Sequence, residues 1–287
     1  MKVKLKPYIL LAPALLIILG IFTTGIIICI AQSLGYFPVI GLKELTFKYY
    51  SEILRDKEFI ASLKFSLYTS LLSSIIAVIF GVSLAYLMLQ KKKDRKIEQI
   101  LYSIPIVVPH IVGALLIFNI LSQSGILPRI LYNIGIISTQ EDFLSLVFDK
   151  KGIGIILTYI WKEVPFIAMV VYGVLDNIND KLTEAALNLG ASRRQIFYNI
   201  LLPLAMPSIL SSFIIIFAFS FGAFEVPYLL GPTSPRALPV KAYIEYSNPD
   251  LANRPYSMAI NSVLTIISLI LIWIYEIIFK VFYKVKL

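Results

Sequence analysis

Apolar residues fall in long runs separated by short polar segments, at about 8–33, 63–89, 100–121, 153–175, 204–230 and 256–282. Each run matches the ~20 residues a helix needs to cross the hydrocarbon core of a bilayer. The pattern predicts an all-α, polytopic membrane protein with six transmembrane helices. The first run follows Lys2, Lys4 and Lys6. It outlasts the ~7–15-residue apolar core of a secretory signal, so it is expected to stay as the first span. Residues 34–62 carry charges of both signs and are expected to hold a short surface helix. In the second run, Ser66, Thr69, Ser70, Ser73 and Ser74 are placed to hydrogen-bond across a helix interface. Pro105 and Pro109 must bend the third run or leave backbone carbonyls without donors. Residues 122–152 are polar, and their apolar middle, 126–137, is short enough to read as a re-entrant or interfacial piece.

Residues 180–203, DKLTEAALNLGASRRQIFYNILLP, differ from every other segment. Leu182, Ala185, Ala186 and Leu189 recur at i, i+3, i+4 and i+7, which makes one apolar face of a short helix. Gly190 interrupts that pattern. Ser192 followed by Gln195 supplies a capping box for a second helix, whose apolar face is Ile196, Phe197, Ile200 and Leu201. Pro203 is expected to close it. Two short helices meeting at a glycine form a knob, too polar to span and well suited to contact with a partner.

Composition agrees with a protein whose solvent is largely lipid: 58% of the 287 residues are hydrophobic, 15% are charged, and the mean hydropathy is +0.83. Soluble domains hold about 25% charged residues. The single cysteine, Cys29, excludes a disulfide framework or a cysteine-based metal site. The net charge of +9 could suggest nucleic acid, but the basic residues flank apolar runs and are better explained by topology. The dense cluster Lys91–Lys96, with the basic residues of both termini and of the knob, puts these segments on the cytoplasmic side. No nucleic-acid partner is expected; the bilayer is one.

No G-x-x-x-x-G-K-[ST] phosphate loop occurs, so any ATP-derived energy must come from another chain. HExxH, paired-cysteine and GxSxG patterns are absent as well. No catalytic residue, metal ligand or cofactor is assigned to this chain. Charged residues inside spans must be paired, hydrated or near an interface, because a charge at the bilayer centre costs ~2.5–3.5 kcal/mol even on the gentler scale. Lys162, Glu163 and Glu225 are such residues, and with Asn119 they are the candidate lining of a solute path. The alternative for Lys162 and Glu225 is an internal ion pair between the fourth and fifth spans, which is preferred because a lysine in lipid needs a partner. His110, the sole histidine, reads as a packing or kink residue.

Glu184, Ala185 and Ala186, then Gly190, and then Ile200, Leu202 and Pro203 resemble the EAA signature of binding-protein-dependent ABC importer permeases at each fixed position. The segment also lies in the expected place, between the fourth and fifth of six spans. The resemblance implies the type I ABC importer permease (MetI-like) fold. Residues 1–62 would hold the first transmembrane helix and outer loop, and 63–287 a five-helix core containing the coupling helix at 180–203. It further implies that Glu184 makes polar contacts with a cytoplasmic ATPase and that Gly190 permits the bend. Ala185, Ala186, Ala191, Ser192, Arg193 and Arg194 complete the coupling surface, although the two arginines would serve equally as lipid-headgroup anchors. The implied partners are a dimer of ABC ATPase subunits, a second permease subunit, identical or sister, and an extracytoplasmic substrate-binding protein. The expected location is a bacterial or archaeal plasma membrane, with both termini cytoplasmic. Trp161 with Pro165 and Phe166 resembles the W-x-x-x-P-F pattern common in the span before the family's coupling helix, and the text from Ser220 to Gly231 resembles the polyamine, iron and aminophosphonate branch. The implied cargo is a small cation such as spermidine or putrescine; iron(III), thiamine or 2-aminoethylphosphonate are alternatives, and a stand-alone channel or secondary carrier is the rival class.

Overall fold

The computed structural model describes residues 6–90, 96–177 and 180–284. In chain order they form α1 (Lys6–Ser33), α2 (Lys48–Arg55), α3 (Lys57–Gln90), α4 (Lys96–Val107), α5 (His110–Leu121), α6 (Ile126–Asn133) and α7 (Ile153–Asn177). Then come α8 (Asp180–Asn188), α9 (Arg193–Ile196), α10 (Leu202–Gly222), α11 (Glu225–Leu230), α12 (Leu238–Tyr246) and α13 (Arg254–Lys284). Among the described residues there is no strand beyond an isolated bridge between Phe37 and Leu42. Six described stretches are long and apolar enough to cross a membrane: Leu10–Ser33, Lys57–Gln90, His110–Asn133, Ile153–Asp176, Arg193–Gly222 and Leu251–Ile277. The all-α, six-span reading therefore stands. Most of the basic cluster, at 91–95, lies outside the described residues.

Two spans depart from the expected boundaries at prolines. The third run does not bend at Pro109 but breaks there, into α4 and α5, and the length sufficient to cross runs from His110 through α6. The fifth begins earlier than expected. α9 does not end at Pro203 but runs through a π-helical stretch, Phe197–Leu201, directly into α10. Proline has no N–H to donate, and its ring presses on the carbonyl four residues back. The wider turn, in which the Leu202 N–H reaches back to the Phe197 carbonyl, lets the helix pass Pro203 without stopping.

The chain forms two compact units. One holds residues up to Ile60 together with Lys241–Ile267; the other holds Ala61–Val240 with Ser268 onward. In the larger unit α3, α7 and the α9–α10 helix pack through Ala77, Ala85, Ile167, Val171, Ile196, Phe197 and Ala205. Small residues set the spacing: a Cβ on Gly81 would lie 2.6 Å from the Ile167 side chain, so α3 and α7 touch there at a distance only glycine allows. The serines of α3 are buried as expected, but most bond to their own helix. Ser70 Oγ donates to the Ser66 carbonyl at 2.6 Å, and Thr69 to that of Phe65 at 3.0 Å. Ser66 alone of that stripe has a described bond to another element, accepting the Leu238 N–H of α12 at 2.7 Å.

In the smaller unit a buried lysine organises the polar groups. Lys241, on α12, places Nζ 3.2 Å from Asp56 Oδ2, 3.2 Å from Glu58 Oε2 and 3.7 Å from Glu245 Oε1. The Tyr256 hydroxyl donates to Asp56 at 2.7 Å. Burial alone would raise the Asp56 carboxyl, but the Tyr256 hydroxyl, the Glu58 amide and the Lys241 ammonium outweigh it and hold Asp56 below its ordinary value. Burial would likewise lower Lys241, and Asp56 and Glu58 reverse that effect and raise it. A carboxyl depressed in the folded state stabilises fully above its unfolded value near ~4 and loses that contribution as pH falls through the folded value. Proteolytic nicking of residues 34–56 in detergent should therefore rise as pH drops below ~4, with a weaker dependence in Asp56→Asn. Lys241→Met, which strands three carboxylates, should destabilise this unit by about 3 kcal/mol in denaturant titration.

Candidate functional site

Two regions concentrate the groups that packing alone does not explain. The first is the turn between α8 and α9. The Gly190 N–H donates to the Leu187 carbonyl at 2.9 Å, and the Ala191 N–H to that of Ala186 at 3.0 Å. With Gly190 at φ +84°, this is the paired-bond ending that stops a helix at a left-handed glycine. Nothing lies within 4 Å of where a Gly190 Cβ would be, so the requirement is conformational and not one of space. Ser192 then caps α9: its Oγ accepts the Gln195 N–H at 3.3 Å, and Gln195 Oε1 accepts the Ser192 N–H at 2.8 Å.

Burial divides the turn into a root and a face. Ile196, Phe197 and Leu201 are buried in the larger unit, and Ala186 and Ala191 pack against them. Glu184, Ala185, Ser192, Arg193 and Arg194 are exposed. The apolar stripe read on α8 is mostly uncovered: Leu182 is 49% and Leu189 88% exposed, and only Ala186 of its four positions rests on the core. Arg193 and Arg194 stand in the first turn of a helix that continues to Gly222, the end where the peptide dipoles disfavour positive charge. The Arg194 guanidinium lies 5.8 Å from the centre of the Tyr198 ring. Bare leucines thus stand beside two arginines that the helix dipole disfavours.

The second region surrounds the α4–α5 break. Pro109 lacks the N–H that would have bonded the Pro105 carbonyl, and the break also leaves the Val108 carbonyl outside the α-helical ladder. Lys162, buried on α7, supplies both missing donors. Its Nζ donates to the Pro105 oxygen at 2.7 Å and to the Val108 oxygen. The expected ion pair with Glu225 is thus corrected: among the described residues Lys162 pairs with no carboxylate, because two carbonyls at a helix C-terminus satisfy its charge instead. Glu163, next in sequence, is turned to α10, where the Ser220 hydroxyl donates to its Oε1. Among the described residues its Oε2 and the fully buried Tyr159 hydroxyl, one turn away, have no hydrogen-bond partner.

Glu225 opens α11 and is exposed. Around it lie aromatic rings: Phe224 stacks on Tyr228 at 4.9 Å, and His110 packs on Phe219 at 4.4 Å. Asn119 is exposed too, but its amide donates to the Leu115 carbonyl of its own helix at 2.8 Å. The structure packs His110 on Phe219, turns Lys162 to the α4–α5 break and faces Glu163 to α10. Sequence reasoning missed Ser220 and Tyr159. The i, i+4 spacing of Tyr159 and Glu163 was the available signal for the latter.

Comparison with known proteins adds the following. The family model described as "Binding-protein-dependent transport system inner membrane component" matches residues 77–284. The spermidine/putrescine transport system permease protein PotB of Haemophilus influenzae is 28% identical over 211 residues, covering 73% of this chain and 71% of its own length. A probable molybdenum ABC transporter permease protein of Haloferax volcanii is 26% identical over 182 residues, covering 63% and 62%. The crystal structure of a bacterial ABC transporter involved in the import of the acidic polysaccharide alginate contains a chain of the same fold. It aligns with a TM-score of 0.80 at 21% identity, over 95% of this chain and 94% of that one.

The turn geometry makes one prediction. Gly190→Ala forces a Cβ into the left-handed region at ~1–2 kcal/mol, so hydrogen exchange at the Ala191 amide should quicken about tenfold, the equivalent of ~1.4 kcal/mol. Exchange in the α3 core should not change.

Proposed function

Because this chain belongs to the family of binding-protein-dependent transport system inner membrane components, we propose that residues 180–203 are the helix pair through which it is driven by separate ATPase subunits. The observation that carries the reading is the turn itself. A glycine-terminated α8 presents bare leucines, Glu184 and the Arg193–Arg194 pair, and its neighbour α9 is continuous with the span α10. A push on the Arg193–Arg194 end of α9 is therefore passed to a membrane-crossing helix without an intervening turn. Glu184, Ala185, Ala186, Gly190, Ala191, Ser192, Arg193 and Arg194 form the contact. The permease works with a second permease subunit, which supplies the other half of the path, and receives solute from an extracytoplasmic binding protein. Both termini and the knob lie on the cytoplasmic side, in keeping with the basic residues flanking the spans. Alternating access follows: closure of the ATPases draws two knobs together and the spans reopen outward.

The cargo we propose is a small organic cation of the spermidine or putrescine kind. The exposed carboxylate of Glu225 among Phe224, Tyr228 and the His110–Phe219 pair supports it, since carboxylates and aromatic faces both attract ammonium groups. The PotB relative supports the same class. An oxyanion is the second reading, favoured by the molybdenum relative. Asn119 lines the path in either case.

Reconstitution with the ATPase and binding-protein subunits tests both parts. Gly190→Pro and Glu184→Lys should insert normally yet lose solute-stimulated ATP hydrolysis by about tenfold or more, equivalent to ~1.4 kcal/mol or above. Stimulated hydrolysis at the unmodified level in both variants would remove the coupling assignment. Glu225→Gln should raise the KM for spermidine uptake into proteoliposomes. Uptake of molybdate in place of spermidine by the unmodified complex would decide for the oxyanion.

A further inference from the structure

Among the described residues one buried charge of the larger unit forms no ion pair. Lys162 projects from the middle of α7, buried to 5% exposure, and its stem crosses α5 at Gly113. A Cβ on Gly113 would lie 3.6 Å from Lys162 Cδ and 3.1 Å from the neighbouring Trp161 ring. α5 therefore rests directly on the Trp161–Lys162 pair, and the ammonium passes it to reach the end of α4. There it meets two acceptors with a common origin. The last regular bond of α4 runs from the Val108 N–H to the Ile104 carbonyl at 3.1 Å, and the Gly113 N–H bonds to the Pro109 carbonyl at 3.0 Å as α5 begins. The Pro105 oxygen stands opposite the N–H that Pro109 does not have. The Val108 oxygen lies at the junction of the two helices. In a lipid-embedded span no water replaces these donors, and an unsatisfied carbonyl there is costly.

We infer that Lys162 is a positioning residue: a pin that satisfies the α4–α5 break from the side, fixes the angle at which α5 leaves it, and so sets where His110 stands relative to Phe219 and Glu225. The role differs from that of a path-lining cation. The side chain spends its charge on backbone dipoles and its stem on Gly113, and it presents nothing to a solute. It differs also from generic packing, because the function lies in the N–H groups and not in the volume. Arginine retains donors on a stem of similar reach, while methionine retains the bulk and no donor.

The inference rests on the import reading only for its transport arm, so two readouts are paired. In the full complex in detergent, Lys162→Met should lower the unfolding temperature of the permease and Lys162→Arg should recover most of the loss. Lys162→Met with Pro109→Ala should also recover, because an alanine at 109 returns an N–H to the Pro105 carbonyl. In proteoliposomes with spermidine as the probe, Lys162→Met should cut maximal uptake at least tenfold, and Lys162→Arg should restore it. A raised KM with maximal uptake retained would overturn the pin in favour of solute contact. An unshifted unfolding temperature in Lys162→Met would overturn it as well. If Lys162→Met does not accumulate in membranes, the double variant with Pro109→Ala should, and its failure to do so would equally refute the role. Absence of spermidine uptake by the unmodified complex would fall on the cargo reading alone, and the thermal arms would still decide for or against Lys162.

Discussion

In hydrocarbon a backbone carbonyl or amide has only protein to bond to, and the larger unit of this permease is shaped by how it meets that condition where prolines interrupt its spans. At Pro109 the span breaks and a side chain from a neighbouring helix replaces the lost donor. At Pro203 the hydrogen bond reaches back five residues instead of four, and the helix continues. The two solutions give opposite mechanical results. The first produces an angle held from outside, and the second leaves a rod from Arg193 to Gly222 unbroken. A transporter needs both, a rod to carry displacement and a joint about which something can turn.

The same condition explains how charge is distributed. Lys162 and Glu163 are adjacent on α7 and do not neutralise each other, because successive residues on a helix point about 100° apart. One reaches α4 and the other α10. Two buried ionisable side chains thereby tie α7 to both neighbours with polar bonds that are directional, in a setting where apolar contacts between helices gain little over contacts with lipid. Among the described residues one Glu163 oxygen and the Tyr159 hydroxyl one turn away have no hydrogen-bond partner.

Much of this was legible in the chain. The six apolar runs mark the spans, and the 180–203 segment announces its glycine stop and its Ser192–Gln195 cap, because both motifs are local and need no tertiary information. The consequences of proline were only half legible. The residue shows that a donor is missing but not what replaces it, and the replacement for Pro109 comes from a residue more than fifty positions away. For that reason Lys162 was paired in expectation with Glu225, the carboxylate that hydropathy makes conspicuous, when its acceptors are carbonyls that every sequence has and no sequence displays. α12 was hidden for a related reason. Its turn-rich surroundings read as loop, and the buried Lys241 that anchors it resembles any surface lysine until Asp56, Glu58 and Glu245 converge on it.

The bare leucine stripe of α8 has a meaning for the life of the protein before it works. Among the described residues Leu182 and Leu189 stay uncovered, so on the coupling role proposed above a copy synthesised in excess of its ATPase would display the kind of bare apolar patch by which unassembled subunits are recognised. The surface proposed to take up mechanical work would then also report whether the permease has found its engine.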